Sequence, residues 1–349
     1  MINICFPFVG DSFGGSHKSA LLLINNLNKK KYKIKIVLHK KGILSHYLER
    51  HKIIYDTLNL NTLAGENPNK IITFKHMIKN FIKIQKYIKD NDIHIVHSND
   101  LRCNLSWSLP SKMNASHIWH QRTLISDSFI WKYTYLLTNR IVSISKTVRK
   151  KIYGNSDLIY NPFIEIKLNK KESQCNLRLE LKFNNNPIVG YVGRLEKDKG
   201  IEMFHKISKK MREVNFVVYG DGKVNINFPK NVRIVKFTDD IEKKIEGLDL
   251  LISTSLKEGF GRTLVEAMLV KTPVIATKID AHREISSEEN FISLVEINNV
   301  KEFIDKINFI LTDQSNLSYL EKARKYAVRK FGIDEHVRKI ERIYDSLNG

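Results

Sequence analysis

The chain has 349 residues, of which 42% are hydrophobic and 7 are proline. This composition excludes a disordered or low-complexity protein, and the length is sufficient for two domains of ordinary size. The sequence contains no apolar run of about 18 residues and no signal-like start, so we expect neither a membrane-spanning helix nor secretion. Three scattered cysteines, Cys5, Cys103 and Cys175, lack the spacing of metal ligands, which is consistent with a reducing cytoplasm.

The formal net charge of +21 is distributed unevenly along the chain. Residues 1–165 carry 25 lysines and arginines against 10 acidic residues, whereas the remainder carries 33 against 27. Such an excess of positive charge can bind an anionic membrane surface. The alternative is that it reflects a lysine-rich composition and has no binding role. The sequence has no basic motif interleaved with aromatic residues, so we expect no nucleic-acid partner.

The first predicted strand covers residues 2–9 and leads into a loop that contains two adjacent glycines, Gly14 and Gly15. A helical pattern follows, with one apolar face formed by Ala20, Leu21, Leu23, Ile24 and Leu27. Adjacent glycines also occur in ordinary tight turns, so the pair does not by itself establish a ligand site.

Residues 70–89 form a lysine-rich segment that we predict to be an amphipathic helix. We expect the apolar side chains to face inward and the lysines outward. The apolar set is Ile71, Phe74, Ile78, Phe81, Ile82 and Ile88, and the basic set is Lys75, Lys79, Lys83 and Lys86. The basic face could lie on an anionic membrane, where each cation contributes about 1 kcal/mol, or it could be an ordinary solvated face. Asp90 and Asp92 follow in a turn, and we interpret them as turn residues rather than a metal site.

Two further predicted strands carry histidines. The strand at residues 93–98 contains His94 and His97, and the strand near residues 116–122 contains His117 and His120. A histidine on a strand is commonly a hydrogen-bonded core or rim residue, so the residue type alone assigns no role to any of the four.

The boundary between two domains is predicted after Pro162. A strand at residues 140–144 precedes it, and the segment 160–163 leaves the first domain. Residues 165–173 are charged and only weakly apolar, so we interpret them as the interdomain linker.

The second half of the chain alternates predicted strands with helices, one of which covers residues 201–211. The predicted strands lie at residues 188–192, 215–219, 232–235, 248–254 and 272–277. The loop after the first of these strands carries Arg194 and Lys199. A guanidinium fork and a point cation on one loop are suited to stabilising a departing diphosphate.

The strand at residues 248–254 leads into a glycine turn, residues 259–261, flanked by Glu258 and Glu266. Strand, turn and helix start place backbone N–H groups and the positive end of a helix dipole at the carboxyl edge of a sheet, which suits a diphosphate. Glu266 lies about 6 Å from the start of the helix, measured along its axis. There its carboxylate could accept hydrogen bonds from two ribose hydroxyls. Glu258 would face the group beyond the diphosphate. A helix cap with two surface glutamates is the alternative.

The loop Gly193-Arg194-Leu195…Lys199-Gly200, followed by two glutamates eight positions apart around a Gly-Phe-Gly turn, resembles glycosyltransferase family 4. The resemblance extends along nearly the whole chain. It implies an α/β protein of the GT-B fold, in which two doubly wound Rossmann-like domains face each other across a cleft. The implied divisions are an acceptor-binding domain at 1–163, a nucleotide-sugar-binding domain at 164–333, and a helix at 334–349 that crosses back to the first domain.

The resemblance also implies roles for individual residues. Those implied for catalysis are His120, which faces the sugar with His97 nearby, and Arg194, Lys199 and Glu258. Those implied for nucleotide-sugar binding are Gly14, Gly15, Gly220, Gly259, Phe260, Gly261, Thr263, Leu264 and Glu266. The turn 220–222 and the loop 237–239 would flank the base. The chain departs from the family at His17, near which the family usually has an acidic residue, and this puts the contacts of the first loop in doubt.

The function implied is retaining transfer of a hexose from a nucleoside-diphosphate sugar, expected to be a UDP-sugar, to a hydroxyl acceptor. The expected acceptor is a lipid-linked glycan in the synthesis of bacterial surface polysaccharide, such as O-antigen, lipopolysaccharide or capsule. We expect no prosthetic group and no metal, and a cytoplasmic protein, with attachment to the inner face of the cell membrane left open as an alternative by the basic face. Two alternatives remain. A nucleotide-sugar epimerase would convert its donor without an acceptor, and a catalytically silent relative would bind sugar or membrane without turnover.

Overall fold

The computed structural model describes residues 1–61, 70–125, 129–222, 225–236, 238–312 and 318–348. The chain divides into two compact units. Unit 1 consists of Met1–Pro162 together with Ile333–Gly349, and unit 2 consists of Phe163–Gly332. Within the described ranges, no helix has the length and apolar character needed to cross a membrane.

Unit 1 is built on a sheet of seven parallel strands. In chain order they are β1 Ile2–Phe8, β2 Tyr32–Leu38, β3 Asp56–Thr57, β4 Ile95–Ser98, β5 Ser116–Gln121, β6 Arg140–Ser143 and β7 Asp157–Leu158. Their order in the sheet is β3-β2-β1-β4-β5-β6-β7. The helices of the unit are α1 Gly15–Asn26, α2 Ile43–Arg50, α3 Lys70–Asp90, α4 Leu101–Asn114, α5 Phe129–Leu136, α6 Lys146–Arg149 and α14 Ile333–Asn348.

Both faces of this sheet are buried, because successive residues of β1 enter two different cores. Phe6 and Phe8 belong to a cluster that includes Tyr344 of α14. The intervening side of the strand contributes Cys5 to a second cluster, which includes Trp107 of α4. Strands covered on both faces are nearly continuous apolar runs, which is why β1 was predictable from sequence.

Unit 2 has six parallel strands. They are β8 Ile188–Val192, β9 Asn215–Tyr219, β10 Val232–Val235, β11 Leu250–Ser253, β12 Val274–Thr277 and β13 Ser293–Val295. Their order is β10-β9-β8-β11-β12-β13. The helices are α7 Lys170–Leu181, α8 Ile201–Lys210, α9 Ile241–Glu246, α10 Arg262–Leu269, α11 Asp280–Ser286, α12 Val300–Thr312 and α13 Tyr319–Phe331. The predicted α/β class with two Rossmann-like parallel sheets is confirmed.

Each sheet contains one point at which the strand order reverses. In unit 1 it lies between β1 and β4, and in unit 2 between β8 and β11. Loops at the carboxyl ends of such strand pairs diverge to opposite faces of the sheet and leave a crevice where doubly wound proteins bind their ligands. The glycine loop after β1 and the motif-bearing loops after β8 and β11 start at these two places.

Part of the segment predicted as linker is helical. The whole stretch 165–173 belongs to unit 2, and its last four residues form the start of helix α7, which begins at Lys170. The cause is Glu246, which is fully buried and accepts hydrogen bonds from the Asn169 N–H at 2.5 Å and from the Ser173 hydroxyl at 2.6 Å. The charged side chains of the stretch are mostly exposed, as expected of a linker, but its backbone is held by a buried carboxylate from a distant part of the sequence.

The predicted inward face of helix α3 was wrong for two residues. Ile78 and Ile82 are 48% and 61% exposed, whereas Asn80, Ile84 and Ile88 are buried. At 3.6 residues per turn, a position two residues away lies roughly 160° around the helix, so the exposed pair faces opposite the buried set. The side chains of Ile71 and Phe74 lie outside what the structure describes.

Candidate functional site

In unit 2, the loop that follows β8 is held in place by hydrogen bonds to its backbone carbonyls and by the close approach of Gly200 to Thr254. The buried Tyr191 hydroxyl donates to the carbonyl oxygens of Arg194 and Lys199 at 3.1 and 3.2 Å. Gly200 has a φ of +68°, and a Cβ there would lie 1.8 Å from the Thr254 carbonyl oxygen. The Thr254 hydroxyl in turn donates to the Gly200 carbonyl at 2.8 Å. The loop is therefore fixed against the end of β11, and Gly200 is required for that approach.

This packing brings Lys199 and Glu258 together. The Lys199 Nζ donates to Glu258 Oε1 at 2.5 Å, and the Ser255 hydroxyl donates to the same oxygen at 3.0 Å. Both charged side chains are about one-fifth exposed, at 20% and 18%. Two residues 59 positions apart in sequence thus form a partly desolvated ion pair at the strand-order reversal of unit 2.

Arg194 occupies the same loop but has a different environment. Its side chain is 69% exposed, and its Nη1 lies 2.8 Å from Glu196 Oε1. Gly220 lies close to this loop, because a Cβ at position 220 would be 1.9 Å from the Gly193 carbonyl oxygen. Gly220 therefore has a packing role in the fold, whether or not it also flanks a base. Phe237, the first residue of the loop expected beside the base, is outside the described ranges.

The start of α10 has the geometry expected of an anion site. Gly261 precedes the helix with a φ of +98°, a conformation that favours glycine. Phe260 is buried against the rings of Phe163 and Phe331, which fixes the turn from the inside. The first N–H groups of a helix have no partner within it, and they include that of Thr263. Residues 259–264 thus run without interruption through the glycine turn and into the first turn of α10.

Glu266 is buried within the first two turns of α10. It is 4% exposed, and its Oε1 lies 3.3 Å from Arg262 Nη2. The Arg262 guanidinium stacks 4.2 Å above the Phe163 ring. The carboxylate expected to accept ribose hydroxyls is therefore one that this chain already holds in a fixed position.

The sequence analysis missed His282 beneath this turn. Its Nδ1 donates to the Thr277 carbonyl at 2.8 Å, and its Nε2 has no hydrogen-bond partner among the described residues. A Cβ at Gly261 would lie 3.3 Å from the His282 ring. Burial lowers the pKa of His282, while nearby Glu258 opposes that shift. The sequence feature that could have identified His282 is its position shortly after β12, because β12 neighbours β11 in the sheet.

In unit 1, Gly14 precedes α1 in an extended conformation with a φ of −169°. A Cβ at this position would meet no heavy atom within 4 Å. The fold therefore does not require glycine here, and the space beside the first residue of α1, Gly15, is open. His17 is buried near the rings of Phe8 and Phe13, and burial lowers its pKa.

A buried polar network surrounds His120 at the end of β5. His97 Nε2 lies 3.1 Å from His120 Nδ1, and the Tyr344 hydroxyl lies 2.7 Å from His97 Nδ1. Arg122 Nη2 lies 3.3 Å from the same His120 nitrogen. Arg122 also donates to Asn99 and Asn161 at 2.8 and 2.7 Å. The sequence placed His97 near His120 but missed Arg122 and Tyr344.

The other two histidines on these strands have structural environments. His117 Nε2 is 2.9 Å from the Ser98 hydroxyl inside the sheet, and His94 Nδ1 accepts from the Asn3 N–H at 3.2 Å. Asp92 lies in a turn with a φ of +49°, and Asn3 donates to its side chain. No cluster of three potential metal ligands occurs in the part of the chain that the structure describes.

Residues 176–330, nearly all of unit 2, match the family model described as glycosyl transferases group 1. A poly(ribitol-phosphate) alpha-N-acetylglucosaminyltransferase of Staphylococcus aureus is 28% identical over 179 residues, covering 47% of this chain and 36% of that protein. The O-antigen biosynthesis glycosyltransferase WclY of Escherichia coli is 24% identical over 301 residues, covering 77% of this chain and 83% of WclY. The chain thus spans about a third of the first relative and most of the second.

The solved structures show the same architecture. Anabaena HepE in complex with UDP-glucose aligns with a TM-score of 0.82 at 19% identity, covering 99% of this chain and 100% of HepE. At this identity the likeness establishes the fold alone. The family model and the relatives support a glycosyltransferase, and the chain has the GT-B fold.

Proposed function

We propose that this protein is a retaining, metal-independent glycosyltransferase of family 4 that transfers a hexose from a UDP-sugar to a hydroxyl acceptor. The observation that carries the proposal is the Lys199–Glu258 pair beside the start of α10. A cation, a carboxylate and a helix N-terminus at one strand-order reversal combine the groups that bind a diphosphate and a sugar hydroxyl.

The chemistry requires that charge on the leaving diphosphate be stabilised as the glycosidic bond breaks. In the proposal, Lys199 and the N–H groups at residues 261–264 supply that stabilisation, with Arg194 recruited from its exposed pair with Glu196. Glu258 would hold sugar hydroxyls, and Glu266 the ribose. The departing phosphate itself can accept the proton of the acceptor hydroxyl on the same face of the sugar, so the scheme needs no protein base.

The acceptor proposed is a lipid-linked glycan of a bacterial surface polysaccharide. Support comes from the names of the relatives, which describe glycosylation of poly(ribitol-phosphate) and O-antigen biosynthesis. The donor nucleotide is proposed to be UDP because HepE was solved with UDP-glucose.

The donor site is tested by calorimetric titration with UDP-, GDP-, ADP- and dTDP-sugars in the presence of EDTA. We expect UDP-sugars to bind with micromolar affinity. Glu266→Gln, which keeps the size of the buried side chain but removes its charge, should weaken binding at least tenfold, or about 1.4 kcal/mol. The control is Glu202→Gln, because Glu202 is an exposed glutamate in the first turn of α8. Equal affinities for wild type and Glu266→Gln would remove Glu266 from the site, and absence of binding to any nucleotide sugar would overturn the function.

We further propose that α3 places unit 1 on an anionic membrane surface. The exposed Ile78 and Ile82 lie on the outer face of a helix whose lysines are also exposed. Lysines flanking exposed aliphatic side chains are typical of helices that lie in the membrane interface. Lys83 is excluded from this set because its Nζ donates to the Asn59 carbonyl at 2.9 Å.

Sedimentation with vesicles tests this surface. Replacing Lys75, Lys79, Lys86 and Lys89 together by glutamine should weaken binding to phosphatidylglycerol vesicles at least tenfold, since each lysine near the surface contributes about 1 kcal/mol. The charge-matched control replaces Lys29, Lys30, Lys52 and Lys151, which are exposed elsewhere on unit 1. Ile78→Ser with Ile82→Ser should also weaken binding while leaving the charge unchanged. Equal losses in the α3 and control variants would show that net charge alone attracts the protein.

A further inference from the structure

The hydrogen bonds around His120 determine which of its ring nitrogens carries a proton. An arginine guanidinium can only donate. Because Arg122 Nη2 is directed at His120 Nδ1 at 3.3 Å, that nitrogen must be the acceptor. A neutral His120 therefore carries its hydrogen on Nε2.

The same logic extends through His97 to the C-terminal helix of unit 1. With His120 Nδ1 as acceptor, the 3.1 Å contact requires His97 to donate from Nε2. His97 Nδ1 is then an acceptor, and the Tyr344 hydroxyl at 2.7 Å donates to it. Every hydrogen bond runs in one direction, from Tyr344 to His97 to His120. Reversing the direction of these hydrogen bonds would place the Arg122 N–H against a His120 N–H.

The three side chains joined by these hydrogen bonds, those of Tyr344, His97 and His120, remain uncharged. Burial is the largest cause that lowers the pKa of both His97 and His120, and Arg122 lowers both further. The neighbouring His336, whose ring centroid lies 5.8 Å from that of His120, acts in the same direction. Burial raises the pKa of Tyr344, so its hydroxyl keeps its proton.

The last group in this series of hydrogen bonds, the His120 Nε2–H, is a donor that has no acceptor among the described residues. His120 Nε2 is buried and has no hydrogen-bond partner in the part of the protein that the structure describes. A buried donor left unsatisfied destabilises the folded protein, because its hydrogen bond to water is lost without replacement. Such a group is retained at a binding site when a ligand oxygen completes it.

We propose that Arg122 fixes His120 in the tautomer that presents an Nε2–H to an oxygen of the sugar substrate, and that Tyr344 and His97 are positioning residues that support this tautomer through the hydrogen bond to His120 Nδ1. The assignment of that oxygen to a sugar rests on the proposed function. His120 is then a hydrogen-bond donor and not a general base, because Nε2 already carries its proton and Nδ1 is occupied.

The tautomer can be observed directly in the full chain. Protein labelled with 15N in its histidine rings is studied by long-range 1H–15N correlation at neutral pH, with His120→Gln used to assign the signals. We expect His120 to show a protonated Nε2 and an unprotonated Nδ1. A protonated Nδ1 would overturn the proposal. Because the spectrum is recorded without ligand, this outcome does not depend on the proposed function.

Tyr344→Phe tests the positioning role. The variant keeps the ring but removes the hydroxyl that donates to His97 Nδ1, so part of the His97 population should shift its proton to Nδ1. The loss of the His97 donor weakens the support of His120, and turnover should fall about tenfold with little change in the KM for the donor. The matched control is Tyr32→Phe, because the Tyr32 hydroxyl is bonded instead to Asp345 at 2.9 Å, one residue from Tyr344. Identical spectra for wild type and Tyr344→Phe would show that Tyr344 does not set the tautomer of His97 and has no positioning role.

The sugar contact is tested by adding UDP-glucose or UDP to the labelled protein. A shift of the His120 Nε2–H signal with UDP-glucose and not with UDP supports the contact. An unchanged signal at saturation overturns the contact. Absence of binding in calorimetry overturns the proposed function and the contact together, but leaves the tautomer measurement standing.

Discussion

Replacing Lys199 by methionine is expected to lower turnover by about 10²–10³, the loss typical of removing one group that stabilises charge in a transition state. The side chain keeps its length and loses its cation, so the leaving diphosphate lacks its nearest charged partner in the proposed site. The measurement is the rate of UDP release from the donor selected by calorimetry, with a lipid-linked glycan extract as acceptor. Lys199→Met should also destabilise the protein, because it leaves the mostly buried Glu258 carboxylate without its cation, so urea denaturation is measured alongside and rates are compared where the variant is folded.

Lys197→Met is the matched control for this substitution. Lys197 lies two residues earlier on the same loop, and its side chain is exposed. It is expected to retain nearly full activity. Equal losses in the two variants would indicate a general effect of loop charge, and full activity of Lys199→Met would remove Lys199 from the mechanism.

Gly200→Ala is expected to destabilise the protein by about 2–5 kcal/mol. A left-handed backbone costs a residue with a Cβ about 1–2 kcal/mol, and Gly200 has a φ of +68°. The added methyl would also lie 1.8 Å from the Thr254 carbonyl oxygen, so one backbone segment must move. Forcing an extra group into a packed position costs about 1–3 kcal/mol. Urea denaturation of the full chain measures the change.

Gly14→Ala provides the comparison for glycine replacement. Gly14 has an extended backbone, and a Cβ there meets no heavy atom within 4 Å, so its replacement should change stability by less than about 1 kcal/mol. A similar loss in both variants would mean that the close approach at Gly200 does not control the stability of the loop. The two glycines look alike in the sequence and differ only in their surroundings.

Much of the fold could be predicted from local pattern. The strands at residues 188–192, 215–219 and 232–235 occur with the predicted bounds. The first two are covered on both faces, and such strands are short, continuous apolar runs bounded by glycine or polar turns. The third lies at the edge of the sheet, where Ile234 is 52% exposed. Helix α14, predicted at 334–349, extends from Ile333 to Asn348.

The orientation of α3 could not be predicted in this way. Isoleucines occur on both sides of this helix, and only packing against the sheet selects Ile84 and Ile88 over Ile78 and Ile82. The same limitation affected α7, because a charged stretch does not reveal that Glu246, about 75 residues later, is buried against its start.

The sequence by itself determined the two-sheet α/β class, the glycine turns, and the elements that carry Lys199, Glu258, Glu266 and His120, because each depends on neighbouring residues. Only the tertiary structure decided which of these side chains meet. Pairing of β8 with β11 places Lys199 2.5 Å from Glu258, and the return of α14 to unit 1 joins Tyr344 to His97 across 247 residues. Contacts between distant residues depend on strand order and on the packing of whole elements, and no local periodicity records either.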